Sequence, residues 1–184
     1  MYADAHTTEY LEAEELASVK HDYLYGVVFA RADTTNQHNC IAGNILGALG
    51  ARLRGKKCCP YNSNTKVRIR RGNDRRFYYP DAMIVCNSNA PDEVFQDEPV
   101  VIFEVRSEST ARIDQGEKRE AYCGGIPSLE AYVFVDDEKM AVTVWRRDGA
   151  GWKGEYYTKP EQAIRFESAD CELPLAEIYE RVKF

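Results

Sequence analysis

The chain has little with which to hold zinc. Its six cysteines (Cys40, Cys58, Cys59, Cys86, Cys123 and Cys171) form no C-x-x-C pair, and only three histidines are present to complete a site. Adjacent Cys58 and Cys59 splay apart and make a poor pair of ligands. The cysteines read as buried or idle thiols in a reducing cytosol, so a cytoplasmic location is expected. Long apolar runs are missing too. Ala131 to Val135 and Val100 to Phe103 fall far short of the roughly 20 residues that span a bilayer. The opening MYADAHTTEY has neither a basic start nor an apolar core, so no secretory signal is expected there. Internal repeats, long linkers and low-complexity segments are absent. The formal net charge of -6 excludes a surface coated in positive potential.

What is present suits one packed domain over residues 1–184, with 44% apolar and 11% aromatic residues. The charge is unevenly spread. Ten basic residues and one acid, Asp74, lie between Arg52 and Arg76, a local balance of +9 that leaves -15 on the rest.

A polar, Glu-rich helix follows Thr8 to about Ser18, and Tyr23 to Ala30 reads as a strand or hairpin bent at Gly26. Ile41, Ile45, Leu49 and Leu53 recur every four residues, which predicts a helix from about Asn36 to Arg54 with Gly55 as its C-terminal stop. Gly43, Gly47 and Gly50 weaken that helix, so close packing against their side is expected. Strands are predicted at Thr65–Arg70, Phe77–Cys86, Val100–Val105, Tyr132–Asp136 and Ala141–Arg147, with a weaker one at Gly154–Thr158. Val100–Val105 is apolar almost throughout, as in a central strand covered on both faces. Helices are expected from about Thr110 to Cys123 and from Pro174 to Val182. Strands alternating with helices point to an α/β fold, a mixed β-sheet flanked by helices.

Two acids sit where a core-forming sequence would not be expected to place them. Asp81 lies near the start of an apolar strand and Glu104 near the end of another. Buried carboxylates repel each other and lose solvation, at several kcal/mol per ion, unless something positive offsets the loss. A divalent cation is one such offset, and Mg²⁺ is held by one or two carboxylates with several waters retained. Arg106, two residues after Glu104, shares its face but cannot act as a base. On the next helix Asp114, Lys118 and Tyr122 are spaced along one side, so Lys118 can reach back over the strand end. Each has a plainer reading: Asp81 as a turn residue, Glu104 as a solvated strand end, Lys118 paired with Asp114, Tyr122 as packing. Lys66, Arg68 and Arg70 alternate with apolar partners along one strand, either a solvated basic face or a track for phosphates.

The run Tyr79-Pro80-Asp81, Phe103-Glu104-Val105, Ser107-Glu108-Ser109-Thr110 and Asp114-x-x-x-Lys118-x-x-x-Tyr122 resembles the Uma2 (DUF820) family of restriction-endonuclease-like proteins. The likeness extends to Lys20-His21-Asp22-Tyr23-Leu24-Tyr25-Gly26, His38-Asn39-x-Ile41-x-x-Asn44 and Ala131 to Asp136. It implies a PD-(D/E)xK nuclease fold with the catalytic lysine moved onto the helix, dependence on Mg²⁺ or Mn²⁺, DNA as substrate, and a homodimer or higher oligomer. Asp81, Glu104 and the main-chain carbonyl of Val105 would hold the metal, with Lys118 at the reacting phosphate and Asp22 and Arg106 as accessories. Arg106, Glu108 and Asp22 depart from the family's usual residues. A second reading keeps the fold but makes it a catalytically silent module that binds nucleic acid or protein.

Overall fold

The chain changes sheets at Tyr79-Pro80-Asp81, and this crossing positions the site. The computed structural model describes residues 2–31, 34–72, 74–106 and 114–184. In chain order they form α1 (Tyr2–Leu16), β1 (His21–Leu24), β2 (Val27–Ala30), α2 (Asn36–Leu53), β3 (Cys59–Asn62), β4 (Lys66–Arg71) and β5 (Asp74–Tyr78). There follow β6 (Ala82–Val85), β7 (Phe95–Gln96), β8 (Pro99–Val105), a π-helical turn (Asp114–Lys118), α3 (Arg119–Gly125) and β9 (Ala131–Val135). The last elements are β10 (Val142–Asp148), β11 (Gly151–Tyr157), β12 (Ala163–Phe166), β13 (Cys171–Pro174) and α4 (Leu175–Ile178).

One sheet has the order β2-β1-β5-β4-β7 and a second the order β11-β10-β9-β8-β6-β3, while β12 and β13 pair as a hairpin. The sequence predicts one strand over Phe77–Cys86, but β5 belongs to the first sheet and β6 to the second. Pro80 explains the break. It has no N–H to give to a ladder and its ring fixes φ, so the strand cannot run through it. Strands β8 and β9 are parallel, and the described part of their crossover is the π turn and α3. Residues 107–113, which include Ser107 to Thr110 and the expected helix start, lie outside the described residues.

The second sheet is covered on both faces, as predicted for Val100–Val105. Ile41, Ile45, Leu49 and Leu53 of α2 pack on Val101, Phe103, Val105 and Val133. Tyr122, Ile126 and Leu129 pack on Ile102, Met83 and Tyr132 from the other side. Alternation along β8 thus sends Glu104 toward the Tyr122 face.

Helix α2 matches its expected span, and Thr35 caps it by accepting from the His38 N–H. Gly55 follows with φ 76°, the left-handed backbone that ends helices. The expected close packing at Gly43, Gly47 and Gly50 is not found, because a Cβ at any of them would meet nothing within 4 Å. Gly125 is the crowded one, where a Cβ would overlap Cγ2 of Ile69. The hairpin bend is formed by Tyr25 (φ 52°) and Gly26 (φ 85°), the paired positive φ of a tight two-residue turn. The final helix is only Leu175–Ile178: Pro174 belongs to the β12–β13 pairing, Tyr179 leaves the helical conformation, and Arg181 has φ 62°.

The cysteines also depart from expectation. Pairing of Cys59 with Val85 places Cys58 opposite Cys86, and these two are joined by a disulfide. Cys40, Cys59, Cys123 and Cys171 are free thiols. No helix among the described residues is long and apolar enough to cross a membrane.

Candidate active site

Strands β6 and β8 run antiparallel with Ala82 opposite Phe103, so one step further brings Asp81 level with Glu104. Both acids are buried, Asp81 at 6% exposure and Glu104 at 1%. Two main-chain hydrogen bonds fix the junction. The Asp81 N–H donates to Phe103 O at 3.1 Å, and the Val105 N–H donates to Oδ2 of Asp81 at 2.8 Å. Asp81 therefore grips the two residues flanking Glu104.

Glu104 faces the crossover. Lys118 lies at the end of the π turn, 5% exposed, with Nζ 3.5 Å from each carboxylate oxygen of Glu104. Tyr122, one turn on, donates its hydroxyl to Oε1 of Glu104 at 2.9 Å. The sequence spacing of Lys118 and Tyr122 thus brings both onto one acid, whereas packing alone was the plainer reading for Tyr122. Burial and the neighbouring Glu104 charge push the Tyr122 hydroxyl well above its ordinary pKa, so it stays a donor. A π turn is an uncommon widening that often marks functional positions. The Asp114 side chain lies outside what is described.

Asp81 faces a different set. Nε2 of His38, in the first turn of α2, is 3.2 Å from Oδ2 of Asp81, and a guanidinium nitrogen of Arg31 is 3.6 Å from Oδ1. Burial alone would raise the Asp81 pKa, but the His38 hydrogen bond and charge, followed by Arg31, hold it below the usual carboxylate value. Burial likewise works against protonated His38, yet its bond to Asp81 outweighs this and raises its pKa. Arg31 was not singled out from the sequence, since it follows a hairpin strand and belongs to no motif. Its charge is favoured, against burial, by Glu104, Asp81 and Asp22 in that order, so it stands among all three acids. Asp22 on β1 accepts from the Tyr79 N–H at 3.2 Å, tying the hairpin to the segment that carries Asp81.

Other expected residues fall elsewhere. Arg106 is not paired with Glu104 in this arrangement; its guanidinium meets the loop after β9, 3.8 Å from Asp137 and against Glu138. Along β4, Lys66 is buried with Nζ 5.2 Å from the Tyr79 ring centroid. Arg68 is clamped by both oxygens of Asp97 at 2.7 and 2.6 Å, and the exposed Arg70 approaches the same acid at 3.4 Å. Among the described residues no group of three or more His, Cys, Asp or Glu side chains converges as a metal cage. The expected ligand set needs only two carboxylates and a carbonyl.

Comparison with known proteins agrees with the resemblance. The Uma2 family model, described as "Putative restriction endonuclease", matches residues 7–176. Two proteins of Synechocystis sp., uncharacterized slr1290 and uncharacterized sll1609, are each 27% identical over 144 residues. The first alignment covers 78% of this chain and 74% of the relative, the second 77% and 80%. A crystal structure from Anabaena variabilis, described as "a putative nuclease belonging to DUF820", superimposes with a TM-score of 0.72 at 11% identity. That superposition covers 91% of this chain and 93% of the other, and confirms the mixed α/β architecture.

Proposed function

Because the chain belongs to the Uma2 family, we propose that it is a divalent-metal-dependent endonuclease that hydrolyses DNA phosphodiester bonds. The observation that carries this reading is the buried Lys118 ammonium, 3.5 Å from both oxygens of Glu104 at the end of a strand whose neighbour presents Asp81. A lysine at that depth, beside a carboxylate that shares a sheet rim with a second one, suits chemistry on an anionic ester better than it suits surface solvation.

The donors fit a hard cation such as Mg²⁺ or Mn²⁺. They are carboxylate oxygens of Asp81 and Glu104 with the carbonyl of Val105, and among the described residues Oδ1 of Asp81 is approached only by Arg31, at 3.6 Å. Bound there, the ion would supply polarisation of a phosphoryl oxygen and a water of lowered pKa. The protein's own groups orient the rest. Lys118 donates to the attacking water or to a phosphate oxygen as charge builds, and Tyr122 keeps Glu104 turned toward it. Asp22 steadies the Asp81 segment through Tyr79. Arg106 adds positive charge near the strand end, and of the basic residues of β4 the exposed Arg70 extends contact along the DNA backbone, since Lys66 is buried and Arg68 is held by Asp97.

A second copy of the chain is the other proposed partner. Strand β2 is a sheet edge whose Val27, Val28 and Phe29 are each about half exposed and uncharged. Antiparallel pairing of β2 with its own copy satisfies the open edge and buries these side chains on both faces.

Nicking of supercoiled plasmid in Mg²⁺ or Mn²⁺ tests the enzyme. The wild type should nick, and Lys118→Ala should lower the rate about 10²-fold or more. Equal rates would refute the role of Lys118. One observation favours the silent module instead: each acid already has positive or donating partners, Lys118 and Tyr122 on Glu104, His38 and Arg31 on Asp81. A calorimetric Mn²⁺ titration separates the two, since the enzyme requires heat that Glu104→Ala abolishes.

A further inference from the structure

A cleft of about 350 Å³ opens over Asp81 between the β1–β2 hairpin and the start of α2. Lys20, Arg31, Thr34, His38, Asn39 and Ser63 are among the residues that line it. Its chemistry is lopsided. Lys20 Nζ donates to the Ser63 carbonyl at 2.9 Å and to the Asn64 side chain, both neutral oxygens. Among the described residues no carboxylate lies within ion-pair distance of that ammonium, whereas Arg31 is shared with Asp81.

Three further lining groups, Thr34, Asn39 and His38, bring hydrogen-bonding capacity. Thr34 Oγ1 donates to Asn39 Oδ1 at 3.1 Å, which leaves both N–H groups of the Asn39 amide available to donate. His38 is 4% exposed, and its Nδ1 has no hydrogen-bond partner among the described residues. The first turn of α2, with Thr35 as its cap, adds the partial positive charge of a helix N-terminus. Nearby, Lys20 and Arg31 sit 5.6 and 5.9 Å from the Tyr79 ring centroid, an aromatic face that holds both cations beside Pro80 and Asp81. Of the residues that line the cleft two are cations and one is a carboxylate. Glu104 and Asp22 also act on Arg31 and Glu14 on Lys20, and a divalent ion at Asp81 would shift this balance toward positive charge. An anion with several acceptor oxygens is its natural occupant.

We propose that Lys20 and Arg31 form the seat for a backbone phosphate of the DNA, beside Asp81, with Arg31 shared between the carboxylate and a phosphate oxygen. This deepens, and rests on, the nuclease reading given above. The seat is distinct from the basic face of β4, where Asp97 already engages Arg68 and Arg70. Repulsion within the seat is consistent with this use. Burial, and then the neighbouring Arg31, lower the Lys20 pKa, a cost that an incoming anion relieves.

The test is binding without cleavage. Fluorescence anisotropy of a 5′-fluorescein-labelled duplex DNA is measured in EDTA over a series of salt concentrations, with wild type, Lys20→Gln, Arg31→Gln, Arg31→Lys and the control Lys159→Gln. Lys20→Gln and Arg31→Gln should each weaken binding about 3- to 10-fold and lower the slope of log K against log salt by about 0.9. Arg31→Lys should recover part of the loss, and the control should match wild type. Unchanged affinity and slope in Lys20→Gln and Arg31→Gln, with Arg31→Lys as the charge-keeping guard against misfolding, would overturn the seat. So would a wild type that does not bind the duplex. Because no divalent metal is present, a wild type that binds through these residues yet fails to nick plasmid in Mg²⁺ would sink catalysis while leaving the seat standing.

Discussion

Nε2 of His38 stands 3.2 Å from Oδ2 of Asp81, joining the first turn of α2 to the point where the chain passes between sheets. Burial opposes the charged form of both groups, and the contact between them outweighs it. Asp81 is held below its ordinary 3.8 and His38 above its ordinary 6.5.

The pH dependence of stability follows. A depressed carboxyl contributes stability that is present above its unfolded pKa and is lost as pH falls through the folded value. A raised imidazole contributes stability fully present below its unfolded pKa and lost as pH rises through the folded value. The pair therefore stabilises most between about pH 4 and 6.5, the two unfolded values. Urea midpoints in EDTA should fall from about pH 5.5 to about 8.5, and His38→Asn should flatten that decline. An identical decline in the variant would show that other groups cause it.

Glu104 makes a second prediction. Lys118→Met leaves a nearly inaccessible carboxylate without its ammonium and should destabilise by roughly 3–5 kcal/mol, read from urea midpoints. Tyr122→Phe removes one hydrogen bond to the same charged group and should cost about 1.5–3 kcal/mol. Wild-type midpoints in both would mean that Glu104 is not compensated by these two groups.

Glycines give a pair of opposite sign. Gly47→Ala on open α2 surface should stabilise by about 0.5–1 kcal/mol, because alanine suits a helix better and meets nothing. Gly125→Ala drives a methyl into Ile69 and should destabilise by about 1–3 kcal/mol. Thermal melts of the two variants should move in opposite directions.

The β2 edge makes the assembly testable. Phe29→Glu places a charge in the middle of the proposed strand pairing, and sedimentation velocity should then show a species of half the wild-type mass. A wild type that already sediments as one chain would dismiss this interface.

Much of the arrangement was legible in the sequence, for physical reasons that also mark the limits. The four-residue recurrence of Ile41, Ile45, Leu49 and Leu53 can be satisfied only by a helix with one buried face, and α2 has that face. Glu104 stood out because the β8 strand around it is otherwise apolar. The break at Pro80 was hidden by the continuous apolar run on both sides, which masked two strands from different sheets as one. Arg31 was invisible because its importance depends on which strand ends meet in space, and no local spacing encodes that. Cys58 and Cys86 likewise become neighbours only once β3 and β6 are in register. Tyr122 carried the right spacing, but a tyrosine on a buried helix face announces packing before it announces its hydroxyl.

The crossing at Tyr79-Pro80-Asp81 has a mechanical side. One sheet ends at Tyr78 and the other begins at Ala82, with Asp81 in the short span between them. Asp22 holds the near side of that span through Tyr79, and Phe103 holds the far side through Asp81 itself. The span between the sheets is thus held at both ends by hydrogen bonds to Asp81 or to a residue two positions before it. The β1–β2 hairpin is separated from the Asp81 carboxylate by one hydrogen bond, Tyr79 to Asp22, and two residues of chain.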